Sequence, residues 1–261
     1  MKKLLIVFIC IALLLCGCQN KNTASPIEDF EYSFSSDGTE AFIEKYIGDD
    51  THIVVPDKID GTPVTALDMF VFNSTTVSVT LPDSVQYITW YSFAGCKNLK
   101  TLHIGNSIKT IGEEAFSNCK SLEAIDLPAT LETIDYRAFI NCSSLKAVKI
   151  PGTVKKISAE AFYLNTSLES LIIEDGVERI CNASFGGCDK LTEVTIPASV
   201  TFMDYSAFDF CDNLTSVTFE GNAPDARTPF SEDNKNLTIY YSKGTTGWDA
   251  PIWKEYNLVE K

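Results

Sequence analysis

Residues 99–119 read LKTLHIGNSIKTIGEEAFSNC, and the reading of this stretch decides the fold. Its phenylalanine, Phe116, has counterparts at Phe93, Phe139, Phe162, Phe185 and Phe208, each a step of 23 residues with no insertion. Cys119 repeats in the same register as Cys96, Cys142, Cys188 and Cys211, with Asn165 in the one remaining place. Leu99, Leu102, Ile104, Ile108 and Ile111 head further columns that stay apolar in later units. Self-similarity at a fixed period of this length is the signature of a stacked repeat architecture.

Within the unit, Leu-x-x-Leu-x-Ile alternates apolar and polar positions, as a short strand with one buried face does. Pro82, Pro128, Pro151 and Pro197 follow that strand in several units and end it, because proline cannot donate to the next ladder rung. A second apolar pair (Ile108 and Ile111) comes next. The segment Glu113-Glu114-Ala115-Phe116 then reads as one helical turn, and Asn and Ser before the next leucine suit the return bend. A single unit cannot fold alone. About six buried side chains at roughly 2 kcal/mol each fall short of an ordering cost of roughly 1.5 kcal/mol for each of its residues. Stacking makes up the difference. The expected fold is therefore an α/β-type solenoid, with short parallel strands forming a sheet along one side and one-turn helices along another.

The unit at 99–119 resembles the BspA-like, or Treponema-type, leucine-rich repeat, which the Ala-Phe-x-x-Cys ending distinguishes from ordinary leucine-rich repeats. The resemblance covers residues 64–220. Residues 60–67 (DGTPVTAL) are similar to the first unit of that family, although Phe72 stands 21 residues before Phe93 instead of 23. The tail, with Leu237 to Tyr241 and then Gly244 to Trp248, resembles the closing hairpin. Residues 30–63 and 221–261 are expected to cap the apolar ends of the stack. The resemblance implies a bacterial surface adhesin or interaction protein, without assigning any binding residue.

The first 20 residues, MKKLLIVFICIALLLCGCQN, begin with Lys2 and Lys3 and run apolar from Leu4 to Leu15. Twelve residues are too few to span a bilayer, so residues 1–17 read as a secretory signal. Leu15-Cys16-Gly17-Cys18 resembles a lipoprotein processing site, which implies cleavage before Cys18, acylation of that residue and a stable membrane anchor. Residues 18–29 are polar and read as a flexible tether. The expected address is the bacterial cell envelope, outside the cytoplasm.

Composition removes several function classes. The formal net charge of −14 repels phosphate backbones and argues against nucleic-acid binding. Two histidines, His52 and His103, exclude a histidine-rich metal site. No phosphate loop, Gly-x-Ser-x-Gly elbow or His-Glu-x-x-His occurs, and stacked short repeats are expected to offer no cleft, so neither enzymatic activity nor a cofactor or metal is expected. The cysteine column reads as buried thiols behaving as small hydrophobes. Cys181 lies off the column, and a bridge from it stays open.

The outward strand positions are the candidate binding face. Thr101 and Glu193 stand in one column with Ala124, Ala147, Ser170 and Ser216. His103, Asp126, Lys149, Ile172 and Thr195 form the other, whose variety suits recognition. A charged column, Lys100, Glu123, Lys146 and Glu169, reads as register support. Trp90, Tyr136 and Tyr205 share a further column and are candidates for stacking sugar rings. The expected function is a monomeric, lipid-anchored binding module for a host-matrix or bacterial surface protein. A glycan-binding protein and a structural partner in an envelope complex are the alternatives.

Overall fold

The computed structural model describes residues 23–261 apart from 232, 233 and 235. The signal segment 1–17, Cys18 and the start of the tether lie outside the described residues. The chain winds in successive coils of about 23 residues each into a β-solenoid. The aromatic column forms its axis. Phe72, Phe93, Phe116, Phe139, Phe162, Phe185, Phe208 and Phe230 stack ring on ring, with neighbouring centroids from 4.6 to 5.7 Å apart. All are buried, together with the leucine, isoleucine and cysteine columns apart from the half-buried Leu127. That spacing is the distance between hydrogen-bonded strands, so one coil height serves both the backbone ladders and the ring stack.

Two parallel ladders run along the solenoid, where the sequence led us to expect one. The first joins the second apolar pairs of successive units: Tyr87–Ile88, Thr110–Ile111, Thr133–Ile134, Lys156–Ile157, Arg179–Ile180 and Phe202–Met203. These pairs are short, but each finds a rung above and below. The second ladder joins the Leu-x-x-Leu-x-Ile strands and is broken into three pieces. His52–Val54, Ser78–Thr80 and Thr101–His103 form one piece. Ala147–Ile150 and Ser170–Ile173 form the next. Glu193–Ile196, Ser216–Phe219, Thr238–Tyr241 and Asn257–Glu260 form the last.

The breaks follow the prolines. Glu174 N–H donates to the Ile150 carbonyl, and Glu220 N–H to that of Ile196, each at 3.0 Å, and those pairs are intact. Pro128, Pro151 and Pro197 occupy the same position and have no N–H to give. The ladder parts before Pro128 and before Pro197, and only the isolated bridge Ala124–Ala147 survives before Pro151. Pro82 is tolerated, its strand keeping three paired residues.

The expected one-turn helices are absent, so the α/β description is corrected: the repeats carry no helix, and the 3-10 segments Ile27–Asp29 and Trp253–Glu255 lie outside them. In the turn around Phe116, the N–H groups of Ala115, Ser117 and Cys119 reach three residues back within the coil. Those of Glu114, Phe116 and Asn118 instead donate to the carbonyls of Tyr136, Ala138 and Ile140 in the next coil, at 3.0, 2.8 and 2.9 Å. A helix would point every N–H along its own axis. Here Glu114 and Asn118 take left-handed φ of +50° and +61°, which turns alternate peptide planes along the solenoid axis. Arg137 and Asn141, then Glu160 and Leu164, repeat the device one and two coils on. The strain of each left-handed residue, about 1–2 kcal/mol, is offset by satisfied inter-coil bonds.

At the ends the ladders continue through the segments read as caps. Ala41–Tyr46 pairs in parallel with Thr62–Leu67 and antiparallel with Phe30–Phe34, which closes that end. At the other end the expected hairpin is corrected: Thr238–Tyr241 and Asn257–Glu260 run parallel. Parallel strands need a crossover of about a dozen residues, and residues 242–256 supply it, burying Trp248 and Trp253 against Phe219 across the last coils.

Candidate binding surface

The outward strand positions lie where the alternation places them. Thr101, His103, Asp126, Lys149, Ile172, Glu193 and Thr195 are all exposed, while Leu102, Ile104, Val148, Ile150, Leu171, Ile173, Val194 and Ile196 between them are buried. The seven do not make one continuous sheet face, because the ladder is broken. Lys149 and Ile172 are direct neighbours in register on the middle piece. Glu193 and Thr195 begin the last piece, facing Ser216 and Thr218. Thr101 and His103 close the first piece, and Asp126 stands in the unpaired segment that follows.

Between the strand Thr101–His103 and that segment opens a crevice of about 420 Å³. His103, Asn106 and Asp126 stand at its polar side, and Ile104, Leu127 and Pro128 line its apolar side. Stacked repeats are expected to offer no cleft, and this face carries only a shallow, half-open dent, at the place where Pro128 leaves the ladder a rung short. The Asn106 backbone is fixed there, its N–H donating to Asp83 Oδ1 at 2.8 Å and its carbonyl accepting from Thr130 Oγ1 at 2.8 Å.

Two lysines on this face are paired within the chain. Lys149 Nζ lies 2.6 Å from Glu174 Oε1, and Lys146 Nζ lies 2.6 Å from Glu123 Oε2. The hydrogen bond from Lys149 holds the Glu174 carboxyl below its ordinary range, and that from Lys146 does the same for Glu123. Exposed pairs of this kind add little to stability and align neighbouring coils.

The aromatic column is not assembled into a platform. Glu113 separates Trp90 from Tyr136, and Ala159 and Asn182 separate Tyr136 from Tyr205. Tyr136 donates its hydroxyl to Glu160 Oε1 at 3.2 Å, and its ring lies under the Arg137 guanidinium at 4.7 Å. An aromatic pair that the sequence reading passed over lies instead in the column next to that of Trp90. Phe70 stacks on Tyr91 at 5.4 Å. The 21-residue step from Phe72 to Phe93 was the available signal, since the same step carries Met69 and Phe70 onto Trp90 and Tyr91.

The cysteine column is a set of buried thiols. Cys119 donates to the Phe93 carbonyl at 3.2 Å, Cys142 to that of Phe116 at 3.1 Å and Cys211 to that of Phe185 at 3.1 Å. Asn165 keeps the pattern, its Nδ2 donating to the Phe139 carbonyl at 3.0 Å, while its buried Oδ1 has no partner among the described residues. Burial pushes the Cys96 thiol up to about 12 and raises Cys119 and Cys188 well above the usual thiol range, the opposite of what a nucleophile needs. Cys181 is half-buried and free. Among the described residues no group of three or more His, Cys, Asp and Glu side chains converges as a metal site would require.

A rigid stack with buried repeat columns and a varied exposed strand face belongs to the class of solenoid scaffolds that present a surface to a partner. The sequence profile of the BspA type leucine rich repeat region matches this chain over residues 65–168 and 155–244, in six copies. The chain belongs to the BspA-type leucine-rich repeat family. Proteins of this kind are typically non-enzymatic binding scaffolds. A leucine-rich repeat protein of Treponema pallidum superposes with a TM-score of 0.67 at 29% identity, over 74% of this chain and 91% of that one. A leucine-rich repeat protein of Bacteroides ovatus gives 0.62 at 18% identity, over 91% and 78% of the two chains. A leucine rich cell surface protein of Faecalibacterium prausnitzii gives 0.59 at 18% identity, over 92% and 95%. No curated protein sequence matches the chain.

Proposed function

We propose that this protein is a lipid-anchored module of the bacterial envelope that binds another protein through its strand face, centred on the crevice between His103 and Asp126. The observation that carries the reading is the parting of the ladder before Pro128. It gives a small-residue face one shallow place with an apolar lining, a fixed backbone and ionisable groups at the rim. Interfaces draw most of their affinity from such partly enclosed positions. Thr101, Ile172, Glu193 and Thr195 extend the contact along the solenoid, and Ile172, 46% exposed, offers an apolar anchor beside Lys149. Anchoring rests on the sequence around Cys18; the expected tether 18–29 is corrected at its second half, because Ser25 exchanges hydrogen bonds with Val54 and Ile27–Asp29 form a 3-10 turn whose Asp29 carbonyl accepts from Ile47, so the spacer is the stretch before Ser25.

Two measurements test the reading. Cells carrying the chain should incorporate labelled palmitate, and Cys18→Ser should abolish the label. The same cells should bind immobilised host-matrix proteins or bacterial surface extract saturably, and the combined change His103→Ala, Asp126→Ala and Lys149→Ala should remove that binding. Binding that survives the triple change would place the docking surface elsewhere, and no binding to any of these surfaces would end the adhesion reading.

A further inference from the structure

Aromatic rings on the solenoid surface are repeatedly covered by the chain's own cations. Arg137 lies 4.7 Å from the Tyr136 ring, Arg179 lies 4.2 Å from Phe202, Arg227 lies 5.7 Å from Tyr205, and Lys261 lies 3.7 Å from Tyr240. In the column Trp90, Tyr136, Tyr205, two of the three members are thus covered. Trp90 is the exception. It is 57% exposed, no cation lies over it among the described residues, and of the three aromatic types indole attracts a cation most strongly.

The surroundings of Trp90 have what such a contact needs except the positive charge. Phe70, 55% exposed, stacks on Tyr91 in the adjoining column, and Met69 is exposed beside it. Gly112, one coil on, leaves room for the indole: a Cβ there would come within 3.0 Å of Trp90 Cδ1 and 2.9 Å of the Thr89 carbonyl carbon. Glu113 and Glu114 follow Trp90 and Tyr91 in their columns, one coil height or roughly 4.8 Å along the axis. Glu114, ahead of burial and Glu113, pushes the Tyr91 phenol up, and Arg137 acts on it in the opposite direction. Glu114 has a distant partner in Arg137, at 3.9 Å, but Arg137 makes its close pair with Glu160, at 2.9 Å. Glu113 has no ion-pair partner among the described residues.

We infer that exposed Trp90, with Glu113 next in its column and with the Phe70–Tyr91 stack and Glu114 in the adjoining one, is a second docking site, and that its occupant is an arginine- or lysine-bearing segment of a partner protein. A guanidinium or ammonium over Trp90 would complete the arrangement that Arg137 and Arg227 complete on Tyr136 and Tyr205. The aliphatic stem would lie on Phe70 and Met69 and the charge would face the two carboxylates. A formal net charge of −14 favours approach of such a segment. The inference rests on the reading of the chain as a binding module, but not on the strand face.

Fluorescein-labelled octa-arginine is a direct probe, used with the full chain at about 0.15 M salt so that long-range attraction is screened. Trp90 is the exposed member of three tryptophans, Trp248 and Trp253 being buried, so acrylamide quenching reports on it. The peptide should shield Trp90 from acrylamide. Trp90→Leu should weaken peptide binding about fivefold by anisotropy, the size of an exposed cation–π contact, and Glu113→Gln should weaken it comparably. Glu132→Gln removes the same charge from another face and should leave the affinity unchanged, as should the triple change at His103, Asp126 and Lys149. Equal affinity in all variants would reduce the effect to general acidity and overturn the inference. So would an absence of binding, or a Trp90 shielded by neutral dextran and not by the peptide, which would mark a glycan site. Each of these results leaves the strand-face test to be decided separately.

Discussion

Removing the ring of Phe139 tests the load on the central stack. This side chain is fully buried and lies between Phe116 at 4.9 Å and Phe162 at 5.0 Å, with interplanar angles of 8° and 5°. Phe139→Ala deletes a buried ring that the neighbours cannot replace, because Phe116 and Phe162 are held at coil height by their own backbone bonds to the adjacent coils. The cavity therefore stays open and the cost should sit at about 3–5 kcal/mol, the usual range for a buried phenylalanine. At about 2–4 °C per kcal/mol for a chain of this size, Tm should fall by roughly 6–20 °C. Urea unfolding should be followed by circular dichroism and by tryptophan emission together. Trp248 and Trp253 report on the last coils, so a solenoid that parts at the cavity would give two curves that no longer coincide. Thr195→Ala, on the exposed face, is the control and should cost about 0.5 kcal/mol or less. If the two substitutions are equally mild, the ring stack does not carry the fold and the assignment of inward and outward faces fails.

Asn165→Cys should stabilise the chain by about 1 kcal/mol in denaturant melts under reducing conditions, because a thiol reproduces the donor to the Phe139 carbonyl and removes the unpartnered Oδ1; a loss of stability would mean that the amide oxygen is satisfied. Pro197→Ala restores a donor opposite the Ile173 carbonyl, so the new amide at position 197 should exchange slowly with deuterium, as that of Glu220 should. The change in stability should be near zero, a hydrogen bond of about 1 kcal/mol being set against the lost stiffness of proline, about 0.4–1 kcal/mol. An unprotected amide there would show that something other than the missing donor parts the ladder. Hydrogen bonds from the Ser35 hydroxyl, then from Thr39, hold the Asp37 carboxyl down to about 2. With the folded value depressed below the ordinary 3.8, this contribution to the turn between the first two strands is present above that pH and is lost as pH falls through about 2. A carboxyl NMR titration of Asp37 with an ordinary midpoint, unmoved by Ser35→Ala, would refute it.

The repeat, its register and the split between buried and exposed columns were legible in the sequence, because identical coils at one period put identical residues in identical surroundings. Phe116, Cys119 and Leu122 are buried for the same reason as Phe139, Cys142 and Leu145, and one unit predicts the next. The alternation that exposes His103 and Thr195 follows from the geometry of a strand. The prolines do not end the strands, since Ser170–Ile173 and Ser216–Phe219 stop at the same register before Glu174 and Glu220, but they are legible as residues with no donor for a rung. Their consequence, a crevice beside His103, was not foreseen, since it depends on how far two neighbouring coils separate once a bond between them is missing.

The turns went the other way. Glu113 to Phe116 has a composition that suits a helix, and within one coil nothing opposes that. Only the next coil, offering the carbonyls of Tyr136, Ala138 and Ile140, makes it better for alternate peptide planes to turn outward at Glu114 and Asn118. The stacking of Phe70 on Tyr91 and the covering of Tyr205 by Arg227 are likewise relations between coils. Local pattern determines what a chain segment buries. Which partner its backbone donors and surface rings then find is set across a gap of one coil height, by residues some twenty positions away.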